Sequence, residues 1–412
     1  MGKLFSDRIV TAIDIGTTKI CVIIAQHLDN GRVEILGIGK SPSDGLRKGV
    51  VVDVGKTIYS IKTAVKEAEL MAGFAIESAY IGISGGHIQS LNSQGIVPIK
   101  RGEIRLTDIE NVMSAARAIP IPEGQQILHV LPQYFVIDGH ERVHYPLGMH
   151  GIRLEVNTHI ILGAIASVQN LVKCCEMAGI KVKDIILEQL ASAQAVLSPD
   201  ERELGIAVLD IGGGTSDLAL YQHGNIRHTM VLPVAGNHFT NDVAVGLRTT
   251  LKEAERIKHA YGYAALELLE KDELIEIEMV QGNQKHIVCV SELVGILEPR
   301  ARELLVLVHK EITKHKLQPF MPAGLVLTGG SSLLRGMHDV AHKIFDIPVR
   351  IGHVRVTYDL PESLSSPMYA TGYGLILYAV QQMHKELPGD TTQGPLSKRI
   401  AARMKSWVSD FF

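Results

Sequence analysis

Two short stretches of the sequence place an aspartate before a glycine turn that lies between two apolar runs. They read AIDIGTTKICVII over residues 12–24 and LDIGGGTSDLAL over residues 209–220. Each pattern predicts a β-hairpin, in which glycine permits positive φ angles at the turn. Backbone N–H groups in such a turn form a concave site for an anion, and nearby hydroxyl and ammonium groups add donors. Donors of this kind are Thr17, Thr18, Lys19, Thr215 and Ser216.

A carboxylate stands at the mouth of each predicted turn, at Asp14 and at Asp210. Because carboxylates repel a bare phosphate, this placement implies that a cation lies between them. Mg²⁺ takes one or two carboxylates together with phosphate oxygens and keeps most of its waters. The alternative is two ordinary hairpins in which aspartate and glycine serve turn geometry alone. The repeated Asp-Ile-Gly with similar flanking strands favours a site for Mg²⁺ and phosphate.

A third glycine stretch, AGLVLTGGSSLLRGM over residues 323–337, reads as an apolar strand, a glycine loop and a helix. Such a connection presents N–H groups and the positive end of a helix to an anion or a ribose. Taken alone it is also typical of an ordinary strand-to-helix turn. The two hairpins predicted to bind phosphate in the same chain favour the interpretation as a binding loop.

The composition is that of a folded chain large enough for two or more cores. Its 412 residues are 46 % hydrophobic and 21 % charged, as in ordinary globular proteins. The formal net charge of -3 gives no reason to expect a nucleic-acid partner. No apolar run reaches the roughly 18 residues of a membrane span, and nothing resembles a signal peptide. Cysteines in apolar contexts without CxxC spacing predict reduced core thiols; they are Cys21, Cys174, Cys175 and Cys289.

Strands and helices alternate near both ends of the chain, and a segment of different character interrupts the first half. Residues 84–166 combine glycine-rich and proline-broken strands with one helix, which predicts a small inserted α/β subdomain. Apolar residues at helical spacing predict helices at about 56–72, 107–118, 168–177, 188–197, 239–262 and 290–317.

The C-terminal residues form a polar linker followed by an amphipathic pattern. KELPGDTTQGP, residues 385–395, contains two prolines and two glycines, which predicts flexibility. After it, apolar side chains recur at helical spacing between basic residues, and the chain's one tryptophan is among them. This combination is typical of a helix that lies on a membrane surface, although a terminal helix can also dock on its own protein. The predicted membrane contacts are Leu396, Ile400, Arg403, Met404, Trp407, Val408 and Phe411.

Four motifs in this order resemble the superfamily of actin, hexokinase and the heat-shock chaperones: DIGTTK, the linking helix LEQLASAQAVL, DIGGGTSD and LTGGSSLLRGM. A second linking helix in SPMYATGYGLILYA, residues 366–379, completes the set. Within the superfamily, the chain resembles the FtsA family of bacterial cell division proteins over nearly its whole length. The stretches that carry this resemblance are TAIDIGTTKICVII, GISGGHI, ERELGIAVLDIGGGTSDLALY, EPRARELL and the C-terminal tail.

The resemblance implies a duplicated α/β fold, with two lobes around a nucleotide cleft, an inserted α/β subdomain and a C-terminal amphipathic helix. The implied units are a first core half (1–83, 167–205 and 360–384), the FtsA-type inserted subdomain (84–166), a second core half (206–234 and 305–359), a second-lobe subdomain with nucleotide and partner contacts (235–304), a flexible linker (385–395) and the membrane-targeting helix (396–412).

The resemblance also implies a site for ATP and Mg²⁺. Phosphate contacts would come from Gly16, Thr17, Thr18, Lys19, Gly212, Gly213, Gly214 and Thr215. Nucleoside contacts would come from Gly236, Asn237, Glu255, Lys258, Gly329, Gly330 and Ser331. Mg²⁺ would be held through water by Asp14, Asp210 and Asp217. Glu255 and Lys258 can equally form a surface ion pair. The water that attacks ATP would be oriented by Glu188 or Gln189, with at most weak ATPase activity.

For function, the resemblance implies an ATP-binding, filament-forming protein that anchors FtsZ filaments to the cytoplasmic face of the bacterial inner membrane at the division septum. Arg300 and Glu303 would hold the acidic C-terminal peptide of FtsZ, because arginine binds carboxylates through two hydrogen bonds. The alternative for these two residues is a solvated helix face. Further implied partners are other copies of the chain, later division proteins and anionic lipids. A pilus-assembly protein of the PilM type and a small-molecule kinase share the fold, but neither uses an amphipathic tail.

Overall fold

Two five-stranded sheets form the framework of the molecule. The computed structural model describes residues 8–28, 32–140, 142–269, 271–280, 285–355 and 361–385. The strands are β1 Ile9–Ile15, β2 Lys19–His27, β3 Val33–Pro42, β4 Leu46–Arg47, β5 Val50–Val51, β6 Ser78–Ile83, β7 Gln89–Pro98, β8 Gln125–Ile137, β9 Arg142–Val143, β10 Arg153–Ala164, β11 Lys181–Leu187, β12 Ile206–Ile211, β13 Ser216–Gln222, β14 Asn225–Leu232, β15 Leu274–Glu278, β16 Lys285–Cys289, β17 Leu325–Thr328 and β18 Val349–Ile351. The α-helices are α1 Val54–Ala72, α2 Leu106–Arg117, α3 Ile165–Met177, α4 Glu188–Val196, α5 Pro199–Leu204, α6 Gly236–Gly246, α7 Leu251–Tyr261, α8 Val290–Lys314, α9 Met337–Phe345 and α10 Ala370–Lys385.

The two sheets share one plan. Their orders are β3-β2-β1-β6-β11 and β14-β13-β12-β17-β18. In each sheet the first three strands are antiparallel, and the last two run parallel to the third. This repetition confirms the expected duplicated α/β fold.

The two predicted hairpins are present and almost wholly buried. Strands β1 with β2 and β12 with β13 pair in antiparallel register, and their apolar residues point into two separate cores. Burial on both faces explains why these strands read as continuous apolar runs and not as an alternating pattern. Asp210 pairs directly with Asp217, and Asp14 pairs with Cys21, so the carboxylates lie where the strands meet the turns.

The halves are joined by two linking helices, α4 and α10, which pack against each other. Gly374 makes their close contact possible, because a Cβ there would lie 1.8 Å from the carbonyl oxygen of Ala191. The C-terminal end of α4 is held by guanidinium groups. Arg202 donates to the carbonyl of Ala193 at 2.9 Å. Arg350 and Arg355 donate to the carbonyls of Val196 and Leu197 at 2.9 and 3.0 Å, which satisfies acceptors that a helix end leaves without intrahelical partners.

The inserted subdomain has its own sheet, in the order β7-β10-β8-β9, with α2 packed on it around a third core. It contacts the second half through β14. At this seam the buried His159 has Nδ1 2.7 Å from Asn92 Oδ1 and Nε2 2.8 Å from Thr229 Oγ1. Burial, and then the neighbouring His228, lower the pKa of His159 to about 3. The predicted domain boundaries stay a prediction, since the sheets fix the cores and not the limits of each unit.

Two expectations from the sequence need correction. The helix expected over 239–262 is two helices, α6 and α7, because Arg248 takes a positive φ of 52° and Thr250 caps α7 by accepting from the N–H of Glu253. Cys289 is only half-buried, whereas Cys21, Cys174 and Cys175 are buried free thiols as expected. The predicted linker lies beyond the described residues except for Lys385, and the predicted membrane helix lies wholly beyond them.

Candidate functional site

A cleft between the two halves brings the predicted phosphate and nucleoside residues together. It encloses about 230 Å³ of open space. Among the residues that line it are all of the predicted ligand-binding set: Asp14, Gly16, Thr17, Thr18, Lys19, Glu188, Asp210, Gly212, Gly213, Gly214, Thr215, Asp217, Gly236, Asn237, Glu255, Lys258, Gly329, Gly330 and Ser331. Their roles toward a ligand stay predictions.

The two glycine turns have the same internal geometry. The N–H of Gly16 donates to the carbonyl of Lys19 at 3.0 Å, and the N–H of Gly212 donates to the carbonyl of Thr215 at 2.9 Å. The expected reason for glycine was wrong, because no glycine in either turn has a positive φ. Glycine instead allows a close approach: a Cβ at Gly213 would lie 2.2 Å from Thr18 Cγ2 of the opposite turn. Bulkier residues would push the two turns apart.

Three aspartates face this region from both halves. Asp14 accepts a 3.2 Å hydrogen bond from Lys19, and Asp210 accepts a 2.9 Å hydrogen bond from Thr371. Asp217 accepts from Ser84, which stands where β6 leads into the inserted subdomain. Burial raises the pKa of Asp210 to about 6 and that of Asp217 to about 7. Burial opposes the charge on Lys19 too, but attraction by Asp14 outweighs it and raises the Lys19 pKa.

The carboxylates do not form a direct metal centre. Among the described residues, no group of three or more His, Cys, Asp or Glu side chains is placed to hold a metal ion. A divalent ion in the cleft must therefore take most of its ligands from water and from a ligand's oxygens, as Mg²⁺ commonly does.

The two candidates for orienting water differ in their positions. Glu188 lines the cleft at the start of α4, and burial followed by the charges of Asp14 and Asp217 raises its pKa well above the usual value. Gln189 is fully buried and is not among the residues that line the cleft, and neither of its amide atoms has a hydrogen-bond partner within the described structure. The geometry therefore favours Glu188.

The third glycine stretch forms a loop beside the second turn. Gly329 has a φ of 82°, which other residues rarely adopt, and a Cβ there would lie 2.3 Å from Asp210 Oδ1. Both the backbone conformation and the lack of space therefore require glycine. Ser331 Oγ donates to the carbonyl of Gly212 at 2.8 Å. The expected order of strand, glycine loop and helix is confirmed, with a 3₁₀ turn over Gly330–Leu333 in the loop and α9 beginning at Met337.

Glu255 and Lys258 form an ion pair at 2.7 Å and also line the cleft. Burial opposes the charge of Glu255, but hydrogen bonds from His259, Lys258 and Thr240 lower its pKa to about 2. Lys258 also donates to the Thr240 hydroxyl at 2.9 Å. The ion pair expected as the alternative is present, and a contact of these residues with a ligand stays a prediction.

The predicted partner site on α8 is occupied by internal contacts. Arg300 donates to both carboxylate oxygens of Asp242, at 2.6 and 3.1 Å, and to Glu303. The Arg300 pKa is raised, chiefly by the hydrogen bond to Asp242. A carboxylate from a partner would have to replace one of these internal acceptors.

Some residues of the cleft were missed by sequence reasoning. Thr371 and Ser84 hold the two aspartates of the second turn, yet each lies more than a hundred residues from its partner. Tyr369 lies under two cations, with Lys40 Nζ 4.4 Å and Lys19 Nζ 5.4 Å from its ring centroid. Arg335, which lines the cleft just after the third glycine stretch, packs on the ring of Tyr263. A hydroxyl or aromatic residue in a linking segment carries no signal in a single sequence.

Comparison with known proteins identifies the family. Residues 207–374 match the family description "Cell division protein FtsA", and residues 85–162 match the "SHS2 domain inserted in FTSA". A cell division protein FtsA of Pseudomonas aeruginosa is 42 % identical over 417 residues, which cover 100 % of both chains. The chain belongs to the FtsA family. Its role is therefore in cell division. FtsA of Escherichia coli K12 is 37 % identical over 99 % of this chain and 97 % of its own.

Solved structures with the same fold are more distant from this FtsA-family chain. The PilM–PilN type IV pilus biogenesis complex has a TM-score of 0.66 at 18 % identity, covering 90 % of this chain and 98 % of the other. MreB5 of Spiroplasma citri bound to ADP has a TM-score of 0.56 at 16 % identity, covering 91 % and 97 %. The MamK double helical filament has a TM-score of 0.52 at 13 % identity, covering 92 % and 100 %. These likenesses establish the actin-like fold.

Within the described residues, no helix is both long enough and apolar enough to cross a bilayer.

Proposed function

We propose that this member of the FtsA family binds ATP and Mg²⁺ in the cleft, assembles into filaments and ties FtsZ filaments to the membrane through residues 396–412. The observation that carries the proposal is the facing pair of glycine turns, each closed by the same backbone hydrogen bond. Lys19 and the hydroxyls of Thr17, Thr18 and Thr215 line the space at these turns. The structures of MreB5 with ADP and with AMPPNP support a nucleotide as the ligand.

The residues of the cleft fit a triphosphate with a divalent cation. Backbone N–H groups at glycines suit phosphate oxygens, and a Cβ at Gly236 would lie 2.3 Å from Ser331 Oγ, so this wall of the cleft leaves no room for a side chain. Five carboxylates line the cleft together with Lys19, Lys258 and Arg335, and a triphosphate would add further negative charge. Mg²⁺, when bound, would neutralise charge on the phosphates. Its waters would be held by Asp14, Asp210 and Asp217.

ATP turnover in this site is proposed to be slow. Glu188 is the side chain at the cleft wall that can orient a water for attack on the terminal phosphate. Arginine accelerates phosphoryl transfer in other nucleotide hydrolases. Among the described residues, the one arginine that lines the cleft is Arg335, and it packs on Tyr263 at the nucleoside end. The cleft is therefore better suited to holding ATP than to fast hydrolysis.

Partner binding is proposed at Arg300 and Glu303 on α8, where the acidic C-terminal peptide of FtsZ would displace Asp242 or Glu303 from the guanidinium group. Such an exchange keeps the arginine paired in both states, so it favours reversible contact.

Membrane binding is proposed for the amphipathic segment 396–412. Single tails would bind anionic lipid weakly, and a filament that joins many tails would bind far more tightly, because linked sites raise the effective concentration. Recruitment of later division proteins belongs to the same proposal.

Co-sedimentation with anionic liposomes tests the proposal, with and without Mg²⁺ and ATP. The full chain is compared with a chain ending at Gln393, with Trp407→Glu and with Ser409→Glu. Ser409 lies on the opposite face of the predicted helix, so this matched variant adds the same charge away from the apolar stripe. A fifth protein, Lys19→Ala, removes the cation from the cleft.

We expect the full chain and Ser409→Glu to pellet with lipid, and the truncated and Trp407→Glu proteins to stay in the supernatant. ATP should increase pelleting of the full chain and have little effect on Lys19→Ala. Equal pelleting of Trp407→Glu and Ser409→Glu would show that the tail is not a membrane anchor. If the full chain pellets equally with and without ATP, membrane binding does not depend on nucleotide. That result would refute the proposal that ATP-dependent assembly strengthens membrane binding.

A further inference from the structure

A second pocket lies at the seam between the inserted subdomain and the second half, away from the nucleotide cleft. Its walls are β8 and β9 on one side and the β13–β14 hairpin on the other, and it holds about 190 Å³ of open space. Gln133 Nε2 donates to the carbonyl oxygens of Ile226 and Arg227 at 3.1 and 3.0 Å. These bonds tie the two walls together, so the pocket is preformed.

Two arginines, one from each wall, line this pocket. Arg142 Cζ lies 4.3 Å from the centroid of the Tyr134 ring, and Arg227 Cζ lies 3.6 Å from that of Phe320. When a ring covers one face of a guanidinium group, the N–H donors remain along the edge, where oxyanions bind. Burial, and then the charge of Arg142, lower the pKa of Arg227. The two cations are therefore close enough to repel each other.

This arrangement differs from that of other arginines in the protein. Arg350 donates to both carboxylate oxygens of Glu201 at 2.8 Å, and Arg300 does the same to Asp242. In the part of the chain that the structure describes, no aspartate or glutamate lines the seam pocket. Two guanidinium groups that line one pocket in such a setting favour an anion from outside the chain.

Imidazole groups complete the polar lining. Asn225 Nδ2 donates to the carbonyl of His223 at 3.1 Å, which fixes the orientation of the amide, and it lies 3.0 Å from His144 Nδ1. His144 Nδ1 therefore accepts, and in the neutral ring Nε2 carries the proton and is a further donor.

We propose that this seam pocket binds a phosphate group, which bridges Arg142 and Arg227 and thereby ties the inserted subdomain to the second half. A tetrahedral phosphate presents oxygens in several directions and can meet guanidinium edges on two opposite walls. The two oxygens of a carboxylate lie in one plane and suit a single edge. The phosphate is either free or part of a small monoester.

Isothermal titration calorimetry of the full chain tests this proposal, with inorganic phosphate as the probe and with O-phosphoserine and acetate in separate arms. The pocket variants are Arg142→Gln and Arg227→Gln. Arg302→Gln is the matched control, because it also removes an arginine, from a surface pair with Glu298 on α8. Lys19→Gln reports phosphate that enters the nucleotide cleft.

We expect saturable phosphate binding that each pocket variant weakens by roughly tenfold or more, as for loss of a charge-assisted hydrogen bond. Arg302→Gln should bind like the full chain. If O-phosphoserine binds, the pocket accepts a phosphate monoester. If O-phosphoserine does not bind while inorganic phosphate does, the site is restricted to free phosphate. Arg142 is exposed, so Arg142→Gln keeps the fold and decides the question if Arg227→Gln does not fold.

Three results would overturn the proposal. The first is that phosphate shows no saturable binding. The second is that Arg142→Gln leaves phosphate binding unchanged while Lys19→Gln abolishes it. The third is that acetate binds as tightly as phosphate.

Discussion

Replacing Gly374 by alanine should destabilise the protein, although alanine is the better helix former. Gly374 lies in α10 against α4, and the new Cβ would be 1.8 Å from the Ala191 carbonyl oxygen and 2.4 Å from its carbon. Contacts of a Cβ atom under 3.0 Å essentially never occur, so the new Cβ and the Ala191 oxygen must move apart by at least 3.0 - 1.8 = 1.2 Å. The obstacle is backbone, which cannot rotate away. Overpacking of this kind costs about 1 to 3 kcal/mol of the free energy of unfolding.

The same substitution at Gly295 is the matched control. Gly295 lies in α8, is exposed, and would have no heavy atom within 4 Å of an added Cβ. There the alanine gains only its helix propensity, which adds about 0.5 to 1 kcal/mol to the stability. The two variants should therefore shift the midpoint of urea denaturation in opposite directions, with circular dichroism as the readout.

An increase in stability for Gly374→Ala, or equal shifts for the two variants, would refute the reasoning. It would mean that α4 and α10 do not pack as closely in solution as the structure shows. A crystal structure of Gly374→Ala should show the separation of the two helices directly.

Two further predictions concern pH and partner exchange. His159 is neutral in the fold with a pKa of about 3, whereas in an unfolded chain it has the ordinary histidine pKa of 6.5. The free energy of unfolding is therefore fully retained above pH 6.5 and falls as the pH decreases toward 3, by about 2 kcal/mol at pH 5 at about 1.4 kcal/mol per pH unit. Urea denaturation at pH 7 and pH 5 should show this loss in the native chain and less of it in His159→Gln; equal losses contradict the assignment. For the α8 site, Arg300→Gln should weaken binding of the FtsZ C-terminal peptide by roughly tenfold, and Asp242→Asn should strengthen it, as measured by fluorescence anisotropy. If Arg300→Gln strengthens peptide binding and Asp242→Asn weakens it, the peptide does not bind at Arg300.

The duplicated fold could be predicted because its signals are local. Asp-Ile-Gly between apolar runs occurs twice, 196 residues apart (210 - 14), and each copy forms a strand pair with its turn in the structure. Helix limits were predicted well where caps are clear, as at Gly73, which takes a φ of 82° after α1. The break between α6 and α7 was missed because Arg248 adopts positive φ without being glycine.

Details of the cleft could not be predicted because they depend on contacts between distant segments. Ser84 reaches Asp217 across 133 residues, and Thr371 reaches Asp210 across 161. The choice between Glu188 and Gln189 likewise depends on how α4 is rotated against the second half. Sequence periodicity does not determine that rotation, since almost the whole of α4 is buried.

The guanidinium groups at the end of α4 bear on how the two halves can move. Arg350 and Arg355 belong to the second half, and they bind the carbonyl groups of Val196 and Leu197 where the helix ends. The other end of α4 follows β11 without an intervening loop, at Leu187 and Glu188. Because α4 also packs against α10, which lies on the first sheet, a rotation of the halves would strain the contacts of α4 with both halves. A change in the relative position of the halves would thus act on Glu188, where a strand of the first sheet leads directly into this shared helix.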